Sequence, residues 1–293
     1  MSWEPRTETT EEYLDPGPVA ALTALFDDGL PAPAPGERLP PLWHWAALAR
    51  WPVSSLLAAD GHPAKGDFLP PVELPRRMFA GGSASFPGAL RVGDTIRRVA
   101  RVESVTEKQG RSGALVLVVV GVELYASDGS LAVTERQNLI YREAPAPVAV
   151  ADVPAPGPVA TLSPGGPPLM PDGADRWRLV TDPSLLMRFS AATANAHRIH
   201  YDWPYATRVE GYPGLVVHGP LMTLSLAETH RLSGTGQAVR SLSHRNSAPL
   251  FCADPAYLAA TATPSGKTVE VMSADPTAPG ASRVHSTLEL TFD

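Results

Sequence analysis

Between Ala144 and Gly173 the chain reads Ala-Pro-Ala-Pro-Val, then Pro154-Ala-Pro-Gly-Pro, then Ser163-Pro-Gly-Gly-Pro-Pro. Proline has no amide hydrogen and its ring clashes with the preceding turn, so this segment can feed neither a sheet ladder nor a helix interior. A semi-rigid extended linker is the economical expectation. The chain then divides into a first half, residues 1–143, a linker, 144–173, and a second half, 174–293.

The two halves end alike. In the first, Asp94 to Val105, Ala114 to Ala126 and Leu131 to Arg142 are rich in Val, Ile, Leu and Thr, with Gly110, Gly113 and Asp128-Gly129 between them. Asp-Gly between β-rich runs signals a hairpin. In the second, Gln237 to His244, Ala256 to Thr263, Thr268 to Ser273 and Arg283 to Phe292 repeat the picture. Val284, Ser286, Leu288, Leu290 and Phe292 share one face of the last segment, a period of two that predicts a half-buried antiparallel strand. Helices are expected ahead of the strands. In the first half they fall over Pro18 to Phe26 and Trp45 to Ala59, the latter interrupted at Pro52. In the second they fall over Pro183 to Ala194, capped by Asp182, and over Gly219 to Leu232, where Pro220 sits in the first turn and Ser233-Gly234 ends the run. A repeated α+β unit results.

A net charge of -6 argues against a general nucleic-acid binder, which needs a basic face. The single cysteine, Cys252, excludes an intrachain disulfide and any metal site built from several thiolates. The longest apolar run, Ala114 to Val120, is far short of the ~20 residues of a membrane helix. The polar start, Met1-Ser2-Trp3-Glu4-Pro5, resembles neither a signal nor a transit peptide, so a cytoplasmic protein without membrane or nucleic-acid partners is expected.

The densest polar cluster is Asn195-Ala196-His197-Arg198-Ile199-His200-Tyr201-Asp202, followed by Gly214-Leu-Val-Val-His218-Gly219-Pro220-Leu221 at the start of the best helix. A helix start carries unsatisfied N–H groups and a partial positive charge, which suit an oxyanion or a developing enolate. Histidine adds proton transfer near neutral pH. Arg76 and Arg77 could grip phosphates or a free carboxylate, or form a salt-bridged edge. Gly81-Gly82 suggests a tight turn. Trp43, His44, Trp45 and Trp51 suggest core or lid packing.

At these residues the chain resembles the MaoC-like (R)-specific enoyl-CoA hydratases and hydroxyacyl-thioester dehydratases, whose motif runs Asp-x-Asn-Pro-x-His-x-Asp and then His-Gly. It is most similar to a subgroup with Asn-x-His-Arg-Ile-His-Tyr-Asp and Tyr-Pro-x-Leu-Val-Val-His-Gly-Pro, which includes 3-methylfumaryl-CoA (mesaconyl-CoA) hydratases. Pro41-Leu42-Trp43-His44-Trp45, Phe68-Leu69-Pro70-Pro71 and Leu74-Pro75-Arg76-Arg77-Met78 extend the likeness into the first half. The resemblance implies a double hotdog, with each half wrapping an antiparallel sheet around a long helix and the two sheets joined edge to edge. Only the second half retains the catalytic motif. It implies a hydratase or dehydratase of 2-enoyl and 3-hydroxyacyl thioesters, carried on CoA or ACP, with no metal or redox cofactor, working as a monomer or homodimer.

One departure matters. Asn195 stands where the wider family has Asp, and an amide has no proton equilibrium near neutral pH. The proton transfer therefore falls to His200, with Asn195 orienting the water or hydroxyl and Gly219 N–H holding the thioester oxygen. Asp202 could orient the His200 ring or pair with Arg198. His197, Arg198, Tyr201, Asp202 and His218, with Arg76 and Arg77, are candidates to line the substrate site or support its loop. Three alternatives stand beside this. One is an acyl-ACP dehydratase, another a non-catalytic acyl-CoA-binding protein. The third is a thioesterase using Glu228, although nine helical residues put it about 13 Å from Gly219.

Overall fold

The computed structural model describes residues 3–110, 113–143, 166–278 and 280–292. The first half contains β1 (Thr7–Tyr13), α1 (Pro16–Phe26), α2 (His44–Ala47), β2 (Arg76–Ser85), β3 (Thr95–Gly110), β4 (Gly113–Tyr125) and β5 (Leu131–Arg142). The second contains β6 (Leu169–Pro171), β7 (Arg176–Leu179), α3 (Pro183–Ala192), α4 (Gly219–Leu232), β8 (Val239–Asn246), β9 (Ala256–Thr263), β10 (Gly266–Ala274) and β11 (Ser282–Phe292). Among the described residues eleven strands form one antiparallel sheet in the order β1-β3-β4-β5-β2-β8-β11-β10-β9-β7-β6.

The two halves meet where β2 pairs with β8, so the expected edge-to-edge join is a real ladder running from Gly81↔Arg245 to Ser85↔Ser241. Gly81-Gly82 lies at this seam inside β2, not in a turn. A bulge after Phe79 brings Gly81 so close that a Cβ there would sit 2.3 Å from the His244 carbonyl oxygen. Only glycine lets the two sheets close at that point.

Helix α4 occupies its expected bounds and packs on β10, β11 and β2, reaching the seam. Leu221, Leu224 and Leu226 are fully buried, and so are its polar Thr223, Ser225 and Thr229. A helix buried all round needs apolar or internally bonded side chains on every face. Thr223 and Thr229 comply by bonding the carbonyls of Gly219 and Leu226. Asp182 caps α3 as expected, accepting from Leu185 N at 2.8 Å.

Among the described residues the first half has no counterpart of α4. Its expected helix over 45–59 shrinks to α2 and a 3-10 turn at Ser54–Leu56, with Pro52 between them. Helix α1 packs on α2 and α3, and Phe26 stacks on the buried Trp43 at 6.4 Å. Trp51, expected in core or lid packing, is 75% exposed. Residues 144–165 of the expected linker lie outside the described part, but its end is structured: Leu169–Pro171 forms the outermost strand. Among the described residues no helix is long and apolar enough to cross a membrane.

Candidate active site

Helix α3 delivers the polar loop. After Thr193, Ala194 adopts a left-handed conformation (φ 51°) and Asn195 N–H donates to Ser190 O at 2.9 Å. The Asn195 side-chain oxygen accepts from His197 N–H at 3.1 Å, so half of the amide secures the turn and the NH2 remains to hold a ligand. A 3-10 turn, Arg198–His200, then carries the His200 ring into the interior.

His200 Nδ1 lies 2.7 Å from the Val216 carbonyl oxygen, which only accepts, so Nδ1 carries the hydrogen. In the neutral ring Nε2 is left with a lone pair. Burial lowers the pKa of His200 to about 3, against the opposite pull of the Val216 carbonyl and with help from His62. The ring is therefore a neutral base across the physiological range. His218 stacks on it at 3.6 Å and is bonded through Nε2 to Ser190 Oγ at 2.8 Å. Burial first, then His200 and His197, hold His218 well below the usual range. His197 meets the edge of His200 at 5.5 Å and is lowered to about 2 by burial, then by His62 and His200.

Gly219 opens α4 with an N–H that has no intrahelical acceptor. Its α-carbon faces Asn246, and a Cβ there would lie 2.7 Å from the Asn246 amide nitrogen. Asn195 and Pro220 line a cavity of about 310 Å³ whose opposite wall comes from the first half, through His44, Trp45 and Glu135. Of the loop and the helix start, Asn195 and Pro220 border this cavity, while His200 and Gly219 are not among the residues that line it.

Other sequence candidates are used differently from expectation. Asp202 does not orient His200; it binds Arg198 at 2.7 Å and caps Tyr205 N–H, and the Val216 carbonyl orients the ring instead. Tyr201 is 45% exposed and spends its hydroxyl on the Ala196 carbonyl. The arginine pair splits, because adjacent residues of a strand point to opposite faces. Arg76 pairs with Glu210 at 2.7 Å and lies over Tyr212. Arg77 sits opposite Tyr141 of β5, and no carboxylate lies within ion-pair distance of it among the described residues. Arg77 does lie close enough to His62 and His197 to add to the lowering that burial imposes on them, and close enough to Tyr141 to oppose the rise that burial imposes there. Glu228 is sequestered between Trp43 Nε1 and Arg231, where burial pushes its carboxyl up to about 8 and Asp28 adds to the rise.

The first half holds groups that sequence reasoning missed. His44 bonds Glu135 at 2.9 Å, and Trp45 Nε1 and Gln137 also donate to that buried carboxylate. Asp60 and His62 lie against His197. The sequence reading of His44, within Trp-His-Trp, was core or lid packing. Asp60 and His62, in an irregular stretch, carry no local signal.

A family model, hydroxyacyl-thioester dehydratase type 2, matches residues 42–252. The chain is 42% identical over 290 residues to a mesaconyl-C(4)-CoA hydratase of Chloroflexus aurantiacus, covering 99% of this chain and 97% of the relative. Among solved structures, HtdX of Mycobacterium tuberculosis superposes with a TM-score of 0.61 at 19% identity over 97% of this chain and 99% of that one. Another M. tuberculosis protein, described as a double hotdog, gives 0.56 at 19% identity over 100% and 96%. The first half's departure from a long central helix therefore sits within a shared double-hotdog architecture. With a family match across both halves and a full-length relative, the chain belongs to the hydroxyacyl-thioester dehydratase type 2 family, hydro-lyases that interconvert 2-enoyl and 3-hydroxyacyl thioesters.

Proposed function

We propose that the protein adds water reversibly to a short 2-enoyl-CoA bearing a free carboxylate, of the mesaconyl-C(4)-CoA (3-methylfumaryl-CoA) type, using His200, Asn195 and Gly219. The observation that carries this is the His200 ring. Its Nδ1–H is fixed to Val216 O, leaving Nε2 as a neutral base on the loop that faces the start of α4. Asn195 NH2 orients the attacking water. Nε2 removes one of its protons as the C3–O bond forms, and the C2=C3 electron pair moves into the thioester carbonyl. Gly219 N–H stabilises the oxygen that becomes negative, an arrangement whose removal typically costs about 10²–10³ in rate. Return of a proton to C2 completes the 3-hydroxyacyl thioester, and the reverse sequence is dehydration.

Arg77 supports the free carboxylate. It is a half-buried cation with no carboxylate within ion-pair distance among the described residues, and guanidinium matches a carboxylate bidentately. The full-length resemblance to a CoA-thioester hydratase favours CoA over ACP as carrier. The steps need only side chains and one backbone N–H, with no cofactor. Because one chain supplies both walls of the cavity, a monomer is sufficient and a homodimer is compatible. A location in the cytoplasm accords with CoA chemistry.

The test is a scan of enoyl-CoAs, following loss of the conjugated double bond, with His200→Gln and Asn195→Ala alongside wild type. Hydration abolished by His200→Gln and cut by Asn195→Ala is expected. Release of free CoA without hydrated product, or full activity of His200→Gln, would overturn the proposal.

A further inference from the structure

The described catalytic loop offers His200 no carboxylate: residue 195 is an amide, and Asp202 faces Arg198. The carboxylate nearest the histidines comes from the first half. Asp60 Oδ2 accepts from His62 Nδ1 at 2.9 Å, and Asp60 Oδ1 accepts from His62 N–H at 2.9 Å. The His62 ring lies 4.0 Å from that of His197, whose ring in turn meets His200. One donor atom each of Asp60, His62 and His197 lie within 4.8 Å of one another, close enough for direct transfer or one bridging water.

The segment is docked for this. Asp60 O accepts from Arg198 N–H at 2.9 Å, and Ala59 O accepts from the Arg198 guanidinium at 3.1 Å. Next in the chain, Gly61 (φ +90°) passes so close to the loop that a Cβ would stand 1.8 Å from Ala196 O. Backbone bonds and a glycine-only approach thus hold His62 against the catalytic loop. Asp60 is lowered by His62 against the upward push of burial, so it stays ionised. Facing His62 are Asp60, His197 and Arg77, with His200 beyond; Lys65 also faces Asp60.

We infer that Asp60 and His62 form the carboxylate–histidine pair that Asn195 cannot provide, acting on His200 through His197 as a positioning and proton-relay pair. The inference rests on the role proposed for His200. When water attacks C3, its proton goes to His200 Nε2 and the enolate holds the displaced electron pair. His197 takes that proton at one nitrogen and releases its own from the other to His62 Nε2, while Nδ1–H of His62 stays on ionised Asp60. The reverse path returns one proton to His200 and then to C2, closing the C2–H bond. Substrate has gained H and OH, and the protein is unchanged.

The experiment uses His62→Gln, His62→Ala and Asp60→Asn with crotonyl-CoA, each checked for native circular dichroism and melting temperature. For His62→Gln, kcat should fall by about 10²-fold, within the span of general acid–base effects, with KM little changed. Adding Asn195→Asp should restore at least a tenth of the lost rate and introduce an acid limb in the carboxylate range. Millimolar imidazole should partly rescue His62→Ala. A merely structural His62 would give neither rescue. The proposal falls if His62→Gln keeps its rate within a few-fold, or if neither rescue occurs. It also falls if a chelator abolishes wild-type activity and Zn²⁺ or Mg²⁺ restores it, since the same donor atoms would then hold a cation. Inactive His200→Gln beside active His62→Gln would sink only the relay; activity in both would sink the hydratase site itself.

Discussion

If His200 titrated at the ordinary value near 6.5, moving from pH 7.5 to 5.5 would reduce its neutral fraction from about 90% to about 10%, and kcat/KM for hydration by about tenfold. With its pKa lowered to about 3 by burial, the neutral fraction changes by less than about 1% over the same range. Hydration should therefore be flat within about twofold from pH 7.5 to 5.5. The measurement is an initial rate from loss of enoyl absorbance, with enzyme held at pH 7.5 and jumped into each buffer.

The jump is needed because the same burial makes the fold acid-labile. His197, His200 and His218 all have folded pKa values below the unfolded one. The unfolded chain then binds more protons below about 6.5, so stability is intact above that value and declines as pH falls toward the folded values. At pH 5.5 each histidine costs of order 1 kcal/mol, a real fraction of the roughly 5–15 kcal/mol of a typical domain. A tenfold fall in kcat/KM while circular dichroism remains native would refute the neutral, pinned His200.

Four further perturbations follow from the same geometry. Gly219→Ala places a Cβ 2.7 Å from the Asn246 amide and breaks its bond to Phe79 O, so kcat should fall by about tenfold or more while the melting temperature shifts little. Arg77→Gln should lower kcat/KM for a carboxylated enoyl-CoA by about 10²-fold and spare crotonyl-CoA. Arg76→Gln should instead lower the melting temperature, because Arg76 holds Glu210. Glu228, with its folded pKa raised to about 8, stabilises the fold below about pH 4.5 and loses that contribution as pH rises toward 8; the advantage of Glu228→Gln in melting temperature should grow across that window.

What the sequence revealed and what it hid divides along contact range. Strands β9 and β5 were placed to the residue because their alternation and flanking turns are local, and α4 because Pro220 and Ser233-Gly234 punctuate it. Strand β1 was missed because Thr-Glu-Thr-Thr-Glu-Glu reads as a solvated run and becomes a strand only by pairing with β3 at the sheet edge. The failed helix over 45–59 had apolar residues to spare, but Pro52 and tertiary contacts of His44 and Trp45 with Glu135 decided otherwise. Of the candidate site, the polar cluster from Asn195 to Asp202 is contiguous and so stands out in the sequence. Asp60 and His62 were not, since they reach His197 only when the halves fold together.

Asn195 then has a physical rationale that concerns substrate choice. Asp60 holds its negative charge against His62 and is not among the residues lining the cavity that Asn195 borders. An Asp at 195 would place a second carboxylate on the cavity wall, facing a substrate that brings a carboxylate of its own. Two such charges about 5 Å apart repel by roughly 3 kcal/mol at an effective dielectric of 20, about two orders of magnitude in binding. Asn195→Asp alone should accordingly favour crotonyl-CoA over a carboxylated enoyl-CoA by about 10²-fold relative to wild type, with the loss appearing in KM. Raising the salt concentration should narrow the gap only slightly, because a buried pair is poorly screened. An unchanged ratio of kcat/KM between the two substrates would separate the amide at 195 from any role in admitting a charged acyl group.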